Sequence, residues 1–323
     1  MKTVYIFGAG ASAAEGAPVV RNFLRVAYRY FKEENYDPDL EIVWEYLEHF
    51  YGYSTKICSG EDLDRYPGID EIFNIVDWYL LHNQAFSRRF SRPRLHDLKT
   101  ALVKLISMTL DRSLPAHQGI HHSFVSGVIE KEGELPAFIS MNYDIVLDRA
   151  IRAAGYGLEY GFYGKPGDHF ASKEKVPLYK LHGSLNWSLC PLCGEISEHE
   201  EKVAHFLFKA NNIISCLNCR GENSQAVIIA PTLYKSYGIS RLQNIWDSAE
   251  GAISYSDRLV IIGYSLAPAD TSIIATIKRA LNIDDKDREI IVINPNRHAC
   301  ERYSQFFGGK CSVTRGAFTG QVI

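Results

Sequence analysis

Leu181-His182-Gly183-Ser184-Leu185-Asn186-Trp187-Ser188-Leu189-Cys190-Pro191-Leu192-Cys193 decides how this chain is to be read. The stretch opens on the end of a short apolar run, turns through a lone histidine and a glycine, and closes on a Cys-x-x-Cys knuckle eight residues after that histidine. A second knuckle, Cys216-x-x-Cys219, follows after 22 intervening residues. Two knuckles at this distance can fold onto one tetrahedral ion, and thiolates suit zinc. A closed shell of four sulfurs leaves no open coordination position, so the expected role is structural. An iron–sulfur cluster, a redox pair and fortuitous spacing are the rival readings. Cys58, Cys300 and Cys311 read as ordinary packed or surface residues.

The 323 residues are 46% hydrophobic, enough for one large domain or two modest ones. A net charge of −3 gives no sign of a nucleic-acid binder. No run approaches the ~18 apolar residues of a membrane span. Val4-Tyr5-Ile6-Phe7 is too short for the core of a signal peptide and leads straight into glycines. The expectation is a soluble cytoplasmic protein, in which paired Cys-x-x-Cys motifs signify metal or redox chemistry rather than disulfides.

Moving outward from residue 181, short apolar runs recur at Thr3–Phe7, Ala137–Met141, Leu178–Leu181, Val227–Ala230, Leu259–Ile262 and Ile290–Ile293. Each ends in a polar or glycine-bearing turn, and several precede helical segments such as Ile145–Ala154 and Thr271–Leu281. This alternation predicts an α/β fold: a Rossmann-like, doubly wound, mostly parallel sheet with helices on both faces and its site beyond the strands' carboxyl ends. Two segments interrupt it. Arg21 to Glu134 lacks a sheet strand and reads as a mainly helical insertion, with helices over Leu40–Phe50, Asp70–Leu81 and Leu95–Leu110. The second interruption, Cys190 to Cys219, is a small zinc-binding module. The expected organisation is residues 1–20 and 135–300 as one domain, with the C-terminal end to 323. Residues 21–134 form the insertion, and residues 186–222 the zinc module within that domain.

Gly8-Ala9-Gly10-Ala11-Ser12-Ala13 follows the first strand and opens a helix. Glycines there let the backbone approach a pyrophosphate, although a ligand-free strand-to-helix turn has the same look. No second strand ends in an acid about 20 residues on, as an ordinary dinucleotide fold requires; Glu33-Glu34 lie in a helical stretch. His182, just past a strand, reads as a general base or as a satisfied structural histidine. Asn142 and Asp144 in Ser140-Met141-Asn142-Tyr143-Asp144 read as ribose or water ligands, or as turn and cap residues.

Taken together, these elements resemble the sirtuin (silent-information-regulator) superfamily over residues 1–18 and about 135–300. Gly8-Ala9-Gly10-Ala11-Ser12 looks like the family's G-A-G-x-S cofactor loop, and Gly16-Ala17-Pro18 like the G-I-P after it. Asn142 and Asp144 match its N-x-D, His182-Gly183 its catalytic H-G, and the two knuckles its zinc module. Gly263-Tyr264-Ser265 looks like its G-T/Y-S turn, and Asn294 corresponds to an asparagine on the adenosine side. The resemblance implies NAD bound by Gly8, Ala9, Gly10, Ala11, Ser12, Arg21, Asn142, Asp144, His182, Gly263, Ser265 and Asn294. It further implies catalysis by His182 and Asn142, and zinc held by Cys190, Cys193, Cys216 and Cys219.

The chain departs from the deacylating members. Their loop reads G-I-P-D-F-R; here Gly16-Ala17-Pro18-Val19-Val20-Arg21 keeps the arginine but lacks the Asp-Phe pair. That phenylalanine covers the reacting sugar, so its absence favours water as acceptor. The acyl-peptide strand F-G-E-x-L-P is replaced by Ile228-Ile229-Ala230-Pro231-Thr232-Leu233. Gly263 to Asp270 looks like divergent bacterial sirtuin-like domains of anti-phage defence. The expectation is an NAD hydrolase yielding nicotinamide and ADP-ribose, acting as a homo-oligomer and switched by an ATPase or other defence partner. An NAD-dependent protein-lysine deacylase and a non-catalytic NAD or ADP-ribose sensor are the alternatives. Arg88, Arg89, Arg92 and Arg94 read as a solvated basic face. No acid completes a metal set around His117, His121 and His122, and the aromatics of residues 27–90 read as packing of the insertion.

Overall fold

The computed structural model describes residues 1–52, 67–114, 119–162, 174–207, 214–216, 218–222, 225–229, 240–267, 270–283 and 286–322. Cys58, His117 and the stretch from Ala230 to Leu233 lie outside these residues. The strands are β1 Thr3–Phe7, β2 Ala137–Ser140, β3 Gly157–Glu159, β4 Lys175–Lys180, β5 Gly183–Leu189, β6 Ile196–Glu198, β7 Gln225–Ile228, β8 Arg258–Ile262, β9 Glu289–Ile293 and β10 Ser312–Thr314. The α-helices are α1 Ala9–Ala13, α2 Phe23–Tyr28, α3 Glu41–Tyr51, α4 Ile69–Leu81, α5 Arg92–Ser113, α6 Ile120–Lys131, α7 Val146–Ala153, α8 Ala204–Leu207, α9 Ser240–Tyr255, α10 Thr271–Leu281 and α11 Arg297–Phe306. None of the described helices is long and apolar enough to cross a membrane.

Seven strands form the expected parallel sheet in the order β10-β9-β8-β1-β2-β4-β3. β1 lies inside the sheet because all five of its residues are buried, as a strand covered on both faces requires. The chain leaves β1 for β2 on one side and later returns to β8 on the other, so the topological switch point lies at β1. Register then fixes a common rim. Phe7 is level with Ser140 and Ile262, and Ser140 is level with Lys180. The turns carrying Gly8, Asn142, His182 and Gly263 therefore leave the sheet side by side.

One expectation needs correcting. The apolar run from Val227 is not a strand of the parallel sheet. As β7 it pairs antiparallel with β5, which also pairs with β6, in a separate three-stranded sheet. A short apolar run does not reveal its partner, and here the nearest is the strand leaving the His182-Gly183 turn. The edge strands β3 and β10 were not anticipated; at three residues each they carry almost no pattern.

Two buried clusters result. One surrounds the parallel sheet. The other gathers Trp44, Tyr46, Phe73, Phe90 and Leu102 from the helical segment, together with Ile145, Leu185 and Ala204. Trp44, Tyr46, Phe50 and Tyr51 thus pack the insertion's own core, whereas Tyr36 and Trp78 lie exposed, and that core seats on the start of α7 and on the small sheet. Of the arginine cluster, Arg89 and Arg94 pair with Glu45.

Candidate active-site cleft

The turns after β1 and β8 interlock. Gly8 N–H donates to the Ile262 carbonyl at 3.0 Å, and Gly10 N–H to the Gly263 carbonyl at 2.8 Å. A Cβ on Gly8 would stand 2.4 Å from Tyr264 Cα, and one on Gly263, at φ +64°, would stand 2.2 Å from Ala11 N. The space left by the missing side chains is filled by the neighbouring turn. These glycines are therefore demanded by backbone packing inside the protein, a reason the sequence did not disclose.

Beside the turns lies a buried polar chain. Asn142 Nδ2 donates to the Gly8 carbonyl at 3.0 Å and to Ser12 Oγ at 2.9 Å. Ser12 Oγ donates in turn to Asp144 Oδ2 at 2.8 Å, and Asp144 Oδ1 accepts from Val146 N–H, the first amide of α7, at 3.1 Å. A carbonyl can only accept, so the bond to Gly8 fixes which way the Asn142 amide points. Its Oδ1 is left as the acceptor of the pair. The segment is held from below as well: Met141 N–H donates to Phe7 O, and Leu185 N–H to Tyr143 O.

His182 sits where the parallel sheet gives way to the small one. Leu181 N–H donates to Ser140 O, and Ile229 N–H to the His182 carbonyl, at 3.0 and 2.9 Å. Gly183 follows at φ +85°, where a Cβ would lie 2.1 Å from the Val227 carbonyl. The glycine is thus what lets the chain turn onto β7.

These groups converge on one cleft of about 890 Å³, including its open mouth. Ala9, Ser12, Asn142, Asp144, His182 and Ser265 all line it. Arg21 does not: it lies exposed in the turn Val20–Asn22. Asn294 is buried behind the β8 turn with both ends of its amide engaged. It donates to the Tyr264 carbonyl at 2.8 Å and accepts from Asn296 N–H at 2.9 Å. Arg302 donates to the Ser265 carbonyl, further bracing that turn.

Sequence reasoning missed two-thirds of the lining. Phe23, Ile69, Ile106 and Leu110 bring apolar lining from α2, α4 and α5, and Tyr264 and Asp270 line the cleft as well. Tyr264 donates its hydroxyl to Asp270 Oδ2 at 2.9 Å. Tyr264, inside the Gly263-Tyr264-Ser265 turn, and Asp270, the acid shortly after it, left a signal; the apolar residues look like any core position.

The cysteine quartet assembles as spacing predicted. All four sulfurs lie within 4.8 Å of one another, and the pairs Cys190–Cys219 and Cys193–Cys216 stand 3.6 Å apart. Tetrahedral zinc with bonds of about 2.3 Å needs sulfurs about 3.8 Å apart, so the donor set and spacing suit that ion. Backbone N–H groups of Asn218 and Gly221 donate to the Cys216 and Cys219 sulfurs at 3.4 Å.

The family model for the SIR2-like domain matches residues 136–307, more than half of the chain. The chain belongs to the SIR2-like family. No curated protein matches it. Among solved structures, one addressing the basis of sirtuin substrate affinity is 16% identical, with a TM-score of 0.44, covering 98% of this chain and 90% of that one. A Sir2 complex with a p53 peptide and NAD+ is 14% identical, with a TM-score of 0.43, covering 98% and 89%. A Sir2 homologue variant complexed with ADP-ribose is 16% identical, with a TM-score of 0.45, covering 98% and 87%. In this SIR2-like chain the His-Gly turn, the Asn-x-Asp segment and the glycine turn all meet at the sheet's switch point. The quartet stands apart on the small sheet, where it can brace β5 without entering the cleft.

Proposed function

We propose that this SIR2-like protein hydrolyses NAD, releasing nicotinamide and ADP-ribose. The observation that carries the reading is that His182 and Asn142 line the same cleft, beside the Gly8–Ser12 turn. Breaking the bond between nicotinamide and ribose develops an oxocarbenium-like sugar, so the requirement is a held ribose and a positioned nucleophile. Asn142 Oδ1 would accept from a ribose hydroxyl or from the attacking water. His182 would take a proton from one of these as general base. Water's oxygen bonds to the anomeric carbon, the departing pyridinium nitrogen keeps the bonding pair, and one proton is released to solvent.

Water is favoured as acceptor because Val20, 42% exposed, stands at the cleft where deacylating members place their covering phenylalanine. Zinc would be structural, held by Cys190, Cys193, Cys216 and Cys219. An activity that drains NAD suits a latent effector assembled from several copies and released by a defence partner such as an ATPase.

The test is to incubate purified protein with NAD across protein concentrations and follow nicotinamide and ADP-ribose. Turnover is expected, with His182→Ala and Asn142→Ala folded and inactive. Absence of NAD turnover in any oligomeric state, with robust acyl-lysine turnover on peptides, would make it a deacylase. Calorimetric binding of NAD without product would make it a sensor.

A further inference from the structure

A second buried polar cluster lies directly beneath the cleft, and the chemistry above does not use it. Lys180, the last residue of β4, is fully buried two positions before His182. Its ammonium donates to Asp148 Oδ2 at 3.0 Å and to the backbone carbonyl of Asp144. Asp148, also fully buried in the first turn of α7, accepts the Tyr160 hydroxyl on its other oxygen. Burial and the neighbouring Asp148 hold the Tyr160 phenol well above its ordinary value, so it remains a donor. Asn186 of β5 donates to Tyr160 OH at 3.4 Å and to the His199 carbonyl at 2.9 Å.

A buried ion pair is a poor source of stability, since well-packed apolar side chains would serve as well or better. Its placement suggests a different use. Residues 141–145 link β2 to α7 without regular structure and carry Asn142 and Asp144 into the cleft. Lys180 grips that link at the Asp144 carbonyl. The Asp144 side chain holds Ser12, and Ser12 accepts from the Asn142 amide. The ammonium is thus two hydrogen bonds from Ser12 and three from Asn142.

We propose that Lys180 is a positioning residue: clamped by Asp148, it fixes the Asp144 backbone and so sets the Asn142 acceptor against the cleft. The proposal rests on the NAD-cleaving reading for its readout. A displacement of about 1 Å at a reacting group costs on the order of a hundredfold in rate. Lys180→Met is therefore expected to lower kcat about a hundredfold, with little change in KM.

A merely structural role is separated from this one by a double variant. Lys180→Met alone leaves the Asp148 carboxylate unpaired, whereas Lys180→Met with Asp148→Asn removes both charges and restores the melting temperature. If Lys180 positions the link, the double variant regains stability and stays about a hundredfold slow. Recovery of turnover in step with stability overturns the proposal. So does a double variant that cannot fold, because the pair is then a requirement of the fold itself. If wild type binds NAD but does not turn it over, calorimetry decides. An affinity in the double variant about tenfold weaker or more supports positioning, and an unchanged affinity overturns it. Wild type that neither binds nor cleaves NAD removes the functional reading and this proposal together, whereas active wild type with an active double variant removes this proposal alone.

Discussion

Ser12→Ala probes the polar chain at its midpoint. The Ser12 hydroxyl is 2% exposed, accepts from Asn142 Nδ2 at 2.9 Å and donates to Asp144 Oδ2 at 2.8 Å. A hydrogen bond to a carboxylate contributes about 1.5–3 kcal/mol and a neutral one about 0.5–1.5. Asn142 keeps its bond to Gly8 O and Asp144 its bond to Val146 N–H, so the two losses add without further collapse. The expected destabilisation is about 2–4.5 kcal/mol. At about 2.1 cal/mol/K per residue, the unfolding entropy of 323 residues is about 0.7 kcal/mol/K, which places the melting temperature about 3–7 °C lower. Nicotinamide release should fall by at least about tenfold, because the Asn142 amide is then held at one point only. Calorimetric melting and a product assay on the same preparation read both. A melting temperature within 1 °C of wild type, or undiminished turnover, would refute the argument that Ser12 ties the Asn-x-Asp segment to the first turn.

Purified protein should carry one zinc per chain, and its removal by chelation should raise hydrogen exchange first in β5, β6 and β7; metal-free protein with unchanged exchange would count against the centre. Gly183→Ala combines a left-handed backbone at φ +85° with a Cβ 2.1 Å from the Val227 carbonyl, so a loss of about 2–5 kcal/mol is expected on denaturant titration. Glu15 gives a pH dependence. Burial pushes its carboxyl up, but hydrogen bonds from the His121 ring and from the His121 and Ile120 amides outweigh this and hold it below its ordinary value. A depressed folded value means stability that is present above the ordinary carboxylate range and lost as pH falls through the folded one. Glu15→Gln should therefore melt below wild type at pH 7, with the gap closing in acid; a gap that widens in acid contradicts the sign.

What was legible in the sequence was local. The apolar run Thr3–Phe7 announced a buried strand because both of its faces are covered, and the spacing of residues 190, 193, 216 and 219 announced a metal knuckle because both halves are short and self-contained. His182 and Asn142 were legible as members of strand-end turns, since parallel sheets collect their sites there. The tertiary structure alone decided the rest. It set Asn142 against Ser12, 130 positions away, and brought Ile106 and Leu110 into the lining of the cleft that His182 shares. It turned β7 away from the parallel sheet and showed that Gly8 and Gly263 exist to let two turns touch. The physical reason is range. Backbone periodicity and chelate spacing act over a few residues and leave a pattern in the chain, whereas packing and buried hydrogen bonds join whichever distant groups the closed fold brings within 3 Å, and a lysine at position 180 looks the same in sequence whether it faces water or clamps the floor of a cleft.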